Sequence, residues 1–428
     1  MNQKFRYPPA TLSWFIWCLG AVFFLLAFFH RVAPGVLGQQ FIHDFSLNAT
    51  TLGVLSSLYF YSYVAMQIPT GILVDKIGPR KLIIYGGIVA FIGTLFLSFA
   101  STFYWAGIGR FLIGGSVAVA FVSTLKLTAS WLQPKYYSLS AGFLLVAGMI
   151  GAIIAGVPLQ LLSEIYGWRL IFAWSSLLGL VISLIAFIAL TDDPTEKGYL
   201  SFQSRIPKKV PQSILLQLRT IIRYRNAWLM TLAPGGLTGI VLTFSGLWGV
   251  PFLVDVYLLS PRIAAAICSG VMLAWAISGP FFSLCSERLA WRKRPYLIGS
   301  LSALICWSVI FLIPELPLPI LLFLLFFAGF SSGGMILGFA LAKESVPIHL
   351  SGTVTGLVNT GVMCGPMLLQ PLAGAVLDQV WDGRMVSDIR TYDFVAYRAG
   401  FSVLLIWLAI SVILLMLARE SNCRQIFD

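Results

Sequence analysis

An all-α integral membrane protein, with twelve transmembrane helices in two pseudo-symmetric six-helix bundles, is what this sequence predicts. Three observations carry that expectation. The 428 residues are 58% hydrophobic and only 10% charged, whereas a soluble globular domain carries about 25% charged residues. Twelve apolar runs fall in two groups of six around one polar break, and about 20 apolar residues suffice to cross about 30 Å of hydrocarbon. The Lys and Arg residues gather in alternate short loops, as they do on the inner side of a membrane.

In chain order the first group of runs covers residues 12–39, 51–72, 82–100, 104–125, 138–162 and 168–190. The second covers 226–254, 262–284, 296–313, 316–341, 352–377 and 399–417. The expected organisation is therefore a first bundle over 1–190, a linker over 191–225 and a second bundle over 226–428. Lys197, Arg205, Lys208, Lys209, Arg219, Arg223 and Arg225 make the linker basic, which suits a partly amphipathic segment lying along the inner membrane surface.

With both termini inside, twenty Lys and Arg fall on the inner side and five on the outer side. That asymmetry predicts cytoplasmic N- and C-termini in a cell (inner or plasma) membrane. The net charge of +12 could suggest a nucleic-acid partner, but such binding needs the cations on one soluble face. Here they are dispersed among loops, so the expected partners are the lipid bilayer and a small-molecule substrate, with no nucleic acid and a monomeric state. Lys4 and Arg6 precede an apolar run longer than a signal peptide's, so an uncleaved first helix is expected. Six cysteines with no C-x-x-C spacing, and three scattered histidines, predict free thiols, no metal and no cofactor.

The stretch 67–81 reads Q-I-P-T-G-I-L-V-D-K-I-G-P-R-K. Gly71 removes a side chain where another helix can approach, Asp75 supplies an anion suited to a helix terminus, and the cations after Gly78 keep the loop inside. Shifting by 212 residues carries Gly71, Asp75, Arg80 and Lys81 onto Ser283, Glu287, Arg292 and Lys293. Shifting by 219 carries Gly114 and Gly115 onto Gly333 and Gly334. A duplicated half accounts for both.

The spacing of Gly71, Leu73, Asp75, Lys76, Gly78, Arg80 and Lys81 resembles the signature loop between helices 2 and 3 of the major facilitator superfamily of transporters. The run from Arg110 to Gly115 resembles its helix 4 motif, and 361–374 its helix 5 and 11 kink motif. The resemblance implies alternating access. Gly71, Asp75, Gly78, Arg80, Glu287 and Arg292 would serve gating, and Asp75 would stabilise one state through the N-terminal end of helix 11 near Ser351 and Gly352.

The chemistry resides in charges inside the membrane, each of which costs several kcal/mol on insertion scales unless it is paired, snorkels or faces water. Arg31 lies about 12 Å from the outer end of its run and Arg110 about 9 Å from the same side, at 1.5 Å per residue. Tyr59 and Tyr63 stand at i, i+4 near that depth, and His30 points about 100° away from Arg31. No Asp or Glu lies well inside any run. Two guanidinium groups beside tyrosine hydroxyls suit a carboxylate or phosphate. Trp248 lines the second bundle's cavity or stands at the outer interface; Lys126, at the inner end of its run, snorkels.

His30-Arg31 followed by Ala33-Pro34, with Tyr63, Gln67 and Pro69, is similar to the anion:cation symporter branch. That resemblance implies import of sugar acids, other organic anions or phosphate-bearing solutes, held by Arg31 and Arg110, by symport with a proton. The acids usual before the helix 1 arginine and seven residues after the helix 4 arginine are replaced by His30 and Val117, so His30 becomes the candidate proton carrier, with uniport and exchange open. A dipeptide or amino-acid uniporter, after a more distant resemblance to the lysosomal dipeptide transporter, and efflux of amphiphilic or siderophore-like compounds are the alternatives. The absence of a catalytic constellation among His30, His43 and His349 argues against an enzyme.

Overall fold

The computed structural model describes residues 6–202, 214–386 and 389–425. Lys4, Arg205, Lys208 and Lys209, counted above among the inner cations, lie outside the described residues.

The chain is a succession of long helices. The first half comprises α1 (Ala10–Phe45), α2 (Ala49–Lys76), α3 (Pro79–Ser98), α4 (Phe103–Val117), α5 (Val119–Trp131), α6 (Tyr137–Ile154), α7 (Val157–Tyr166) and α8 (Trp168–Ala189). A short α9 (Ile214–Ile221) follows in the linker. The second half comprises α10 (Arg225–Thr243), α11 (Gly249–Asp255), α12 (Pro261–Leu289), α13 (Lys293–Leu312), α14 (Leu318–Ser332), α15 (Leu337–Glu344), α16 (Ser351–Val380) and α17 (Phe394–Leu417). A two-residue hairpin, β1 (Met385–Val386) paired antiparallel with β2 (Ile389–Arg390), precedes α17.

Several expected single runs are split helices. Gly156 and Pro158 separate α6 from α7, because proline cannot continue the hydrogen-bond ladder and is tolerated in a first turn. A five-residue π turn, Phe244–Trp248, joins α10 to α11. A 3₁₀ turn at the glycine pair Gly333 and Gly334 joins α14 to α15. Joined in this way the segments make twelve crossings among the described residues. Eleven are long and apolar enough to span a membrane; α2, at 28 residues, is long enough but carries Ser56, Ser57, Ser62, Tyr59, Tyr61, Tyr63 and Gln67.

The helices gather into two compact units, 1–33 with 61–210, and 34–60 with 211–428. In the first, α3 packs on both α4 and α8, and small residues set the spacing: a Cβ at Gly151 would lie 2.1 Å from the Leu25 carbonyl oxygen of α1. In the second, α10 and α16 are pressed together, and a Cβ at Gly361 would lie 1.6 Å from the Thr231 carbonyl oxygen. Small residues permit such approach where lipid offers no hydrophobic drive between helices.

The second unit also fastens the start of α2. Asp378, in the last turn of α16, accepts from the Thr50 amide at 2.7 Å, the Thr50 hydroxyl at 2.5 Å and the Ala49 amide at 3.2 Å. Tyr392 donates to the same carboxylate at 2.7 Å, and Arg390 of β2 lies 3.4 Å from it. Asn48, just before α2, is itself engaged, its side-chain oxygen accepting from the Thr51 amide at 2.9 Å.

Candidate functional site

His30, Arg31, Tyr63 and Arg110 sit on long helices, so their side chains are held by packing rather than by a loop. Arg31 and Arg110 are 4% and 0% exposed, burial that marks an ionisable residue in a membrane as a candidate for function. The Arg31 guanidinium carbon lies 4.3 Å from the Phe28 ring centroid and 5.0 Å from that of Tyr63. Two aromatic faces therefore orient this cation by attraction to their negative quadrupoles. Arg110 reaches α1 from α4, its Nη1 donating to the His30 carbonyl oxygen at 2.6 Å. The structure thus brings Arg31, Tyr63 and Arg110 together at one level of α1. It adds Phe28, three residues before Arg31 and one turn away on the same face, which helical spacing alone could have found.

His30 faces another way. Its Nε2 lies 3.4 Å from the Thr94 hydroxyl of α3, and its ring stands edge-on to Phe29 and Phe172 at 5.3 and 5.5 Å. The side chain is fully buried. Tyr59, also fully buried, belongs to the second unit, where its ring stands edge-on to Phe60 at 5.2 Å.

Trp248 is 1% exposed, so it stands inside the second unit and not at a lipid interface. Its Nε1 donates to the Gln370 carbonyl oxygen of α16 at 3.2 Å, while the Gln370 side-chain amide donates to the Leu242 carbonyl oxygen at 3.2 Å. This reciprocal clasp closes across the π turn, where departure from the regular ladder changes which backbone groups are paired. A Cβ on Gly35 would lie 2.8 Å from the Gly246 carbonyl carbon, so α1 touches the π turn backbone to backbone.

The signature loop is built by partners the sequence did not name. Asp75 binds Lys126 of α5 at 2.6 Å, and the same ammonium donates to the Val74 carbonyl oxygen at 2.7 Å. Lys126 therefore ties down the C-terminal end of α2, where a cation is favoured, rather than merely snorkelling. Gly78 has φ +87°, and a Cβ there would lie 2.0 Å from the Asp192 carboxylate. Asp192 accepts from the Arg80 amide at 2.6 Å, and Arg80 Nη2 donates to the Phe187 carbonyl oxygen at 2.7 Å.

In the second unit Glu420 accepts from the amides of Arg292 and Lys293 at 2.8 and 2.9 Å, and Lys293 Nζ donates to the Met416 carbonyl oxygen at 2.7 Å. Arg292 forks onto one oxygen of Glu344 at 3.0 and 2.9 Å, and Ser421 donates to the other at 2.5 Å. Burial alone would raise the Glu420 carboxyl, but the amides converging on it hold it below its ordinary value. Burial likewise opposes the charge on Arg292, and Glu344 more than restores it. Glu287 forms no clasp like that of Asp75 among the described residues; its charge acts on Arg292 at longer range.

Two curated relatives align with only part of this chain. The uncharacterized transporter YybO of Bacillus subtilis is 28% identical over 57% of this chain and 58% of its own length. The probable galactarate/D-glucarate transporter GarP of Escherichia coli is 27% identical over 40% of each. The chain therefore spans about half the length of these relatives. The solved structure of a bacterial homologue of the human lysosomal transporter Spinster superposes with a TM-score of 0.77, covering 97% of this chain and 98% of that one. At 18% identity the likeness is one of fold. The sequence profile of the Major Facilitator Superfamily matches residues 18–359 and 250–423, and together with the helical crossings that places the chain in this superfamily as a multi-pass membrane protein.

Proposed function

We propose that the protein moves a small organic anion, with sugar acids such as D-glucarate and galactarate foremost, across the membrane by alternating access. The observation that carries the reading is the buried Arg31 guanidinium held on the faces of Phe28 and Tyr63, one residue from the carbonyl that Arg110 binds. A planar guanidinium in a low-dielectric site matches a carboxylate with two parallel hydrogen bonds. The name of GarP supports the same substrate class.

The reading keeps the two six-helix halves and their linker as its moving parts, both termini in the cytoplasm and a monomer in the cell membrane. Asp75 and Lys126 belong to its gate, with Gly71, Gly78 and Arg80 on one half and Arg292 on the other. A coupling proton carried by His30 would pass through Thr94, the polar neighbour of its ring.

Thermal stabilisation of the purified protein tests the reading, using D-glucarate, galactarate, other carboxylates, phosphate esters, dipeptides and hydrophobic cations at mildly acidic and mildly alkaline pH. An anion should raise the melting temperature, and Arg31→Ala should abolish the shift. Stabilisation only by neutral or cationic compounds would overturn the anion site in favour of peptide transport or efflux.

A further inference from the structure

Pro34 stands inside α1, which continues without a break through Phe45. A proline has no amide hydrogen and crowds the carbonyl four residues before it. In α1 that carbonyl belongs to His30. In a helix surrounded by hydrocarbon, a carbonyl left without a donor costs several kcal/mol. The His30 carbonyl oxygen is the one that Arg110 Nη1 meets at 2.6 Å, slightly less than the about 2.7 Å of a short charge-assisted bond.

We infer that Arg110 is a positioning residue: its guanidinium replaces the amide that Pro34 lacks, and so fixes α1 at the level of Arg31. The donor comes from α4, so the proline-weakened turn of α1 is held to a neighbouring helix instead of to itself. Arg31 follows His30 directly, and fixing the His30 peptide fixes the backbone from which Arg31 reaches Phe28 and Tyr63. Arg110 thus serves the anion site through Arg31.

The inference concerns the same site as the function proposed above, but its first test requires no substrate. Replacing Pro34 with alanine returns an amide hydrogen to the His30 carbonyl. Arg110→Ala should lower the melting temperature of the detergent-solubilised protein. Pro34→Ala should relieve that loss, the double variant losing less than the sum of the two single losses. Where Arg110→Ala does not fold alone, recovery of folded protein in the double variant is the readout. Where Pro34→Ala does not fold, Pro34→Ser supplies the same amide.

The second test uses D-glucarate. Arg110→Ala should weaken binding about tenfold or more, the worth of a hydrogen bond to a charged group, and the double variant should regain most of it. Strictly additive stabilities, with binding lost equally in single and double variants, would overturn the inference and make Arg110 a direct ligand. Non-additive stabilities with no D-glucarate binding by any variant, wild type included, would leave the inference standing and remove the sugar-acid reading.

Discussion

The loop from α2 to α3 and the loop from α12 to α13 solve one problem twice, with opposite charges. In each half an acid just beyond the last helix receives the first amides of the third helix: Asp192 for α3 and Glu420 for α13. In each half a cation from that helix start returns to a carbonyl in the last turn of the final helix, Arg80 to Phe187 and Lys293 to Met416. The ion pair beside them is inverted. Asp75 in the first loop meets Lys126 on the fourth crossing, whereas Arg292 in the second loop meets Glu344 on the tenth. The first pair is exposed, at 76% for Asp75 and 30% for Lys126; the second is nearly buried, at 12% and 16%. Duplication has kept the backbone caps, which depend on position, and allowed the side-chain pair to exchange signs, since attraction is indifferent to which helix carries which charge. What differs is the medium. An exposed pair parts at little cost and suits a gate, whereas a shielded one acts as a strut.

The largest effect should come from breaking the strut. Glu344→Ala leaves the Arg292 guanidinium, only 12% exposed, without its carboxylate, and the loss should approach that of breaking a fully buried pair, about 3–5 kcal/mol. The melting temperature in detergent should fall far more than for any change at Asp75, and equal losses would end the comparison. Gly78→Ala should cost about 1–3 kcal/mol for a backbone at φ +87° and ψ 155° that essentially only glycine adopts, with a further loss from driving a methyl into Asp192, read as reduced thermal stability.

Glu420→Gln should cost about 1 kcal/mol, as loss of a good helix cap does, and it should also alter the response to acid. Because the folded carboxyl lies below its ordinary value, its stabilisation is complete above about pH 4.3, the unfolded value, and disappears as the pH falls through the folded one. The wild-type melting temperature should therefore drop more steeply than that of Glu420→Gln below that pH. Smallest in stability is Asp75→Asn, which should cost less than about 1 kcal/mol yet slow transport while substrate binding persists. Loss of binding with unchanged transport per bound molecule would remove Asp75 from the gate.

Much of the fold was legible because a bilayer restricts the solutions. Apolar length, the alternation of Lys and Arg between loops, and glycines at loop and packing positions are one-dimensional signals, and they marked the crossings and the signature loop. The splits were harder to read. The π turn at Phe244–Trp248 lies where Trp248 donates to Gln370 of another crossing and Gln370 donates to Leu242, and no local spacing announces those bonds.

The site was half legible. Arg31 and Arg110 stand out because cations are rare inside apolar runs, and Tyr63 followed from helical spacing. Lys126, at the inner end of its run, reads in the sequence as a snorkelling cation, since its partner lies 51 residues earlier in the chain. Nothing near Asp192 or Glu420 marks either as a cap, because a cap supplied across more than 100 residues leaves no pattern near the helix it caps.

By itself the sequence determined a duplicated helical membrane protein with two arginines inside, because hydrophobicity and charge act residue by residue. Only the tertiary structure decided what those charges do: that Arg31 rests on two aromatic rings, that Arg110 serves the carbonyl Pro34 leaves over, and that one ion pair is exposed and its counterpart shielded. Partners, burial and dielectric are properties of surroundings, and the surroundings exist only once distant segments have packed.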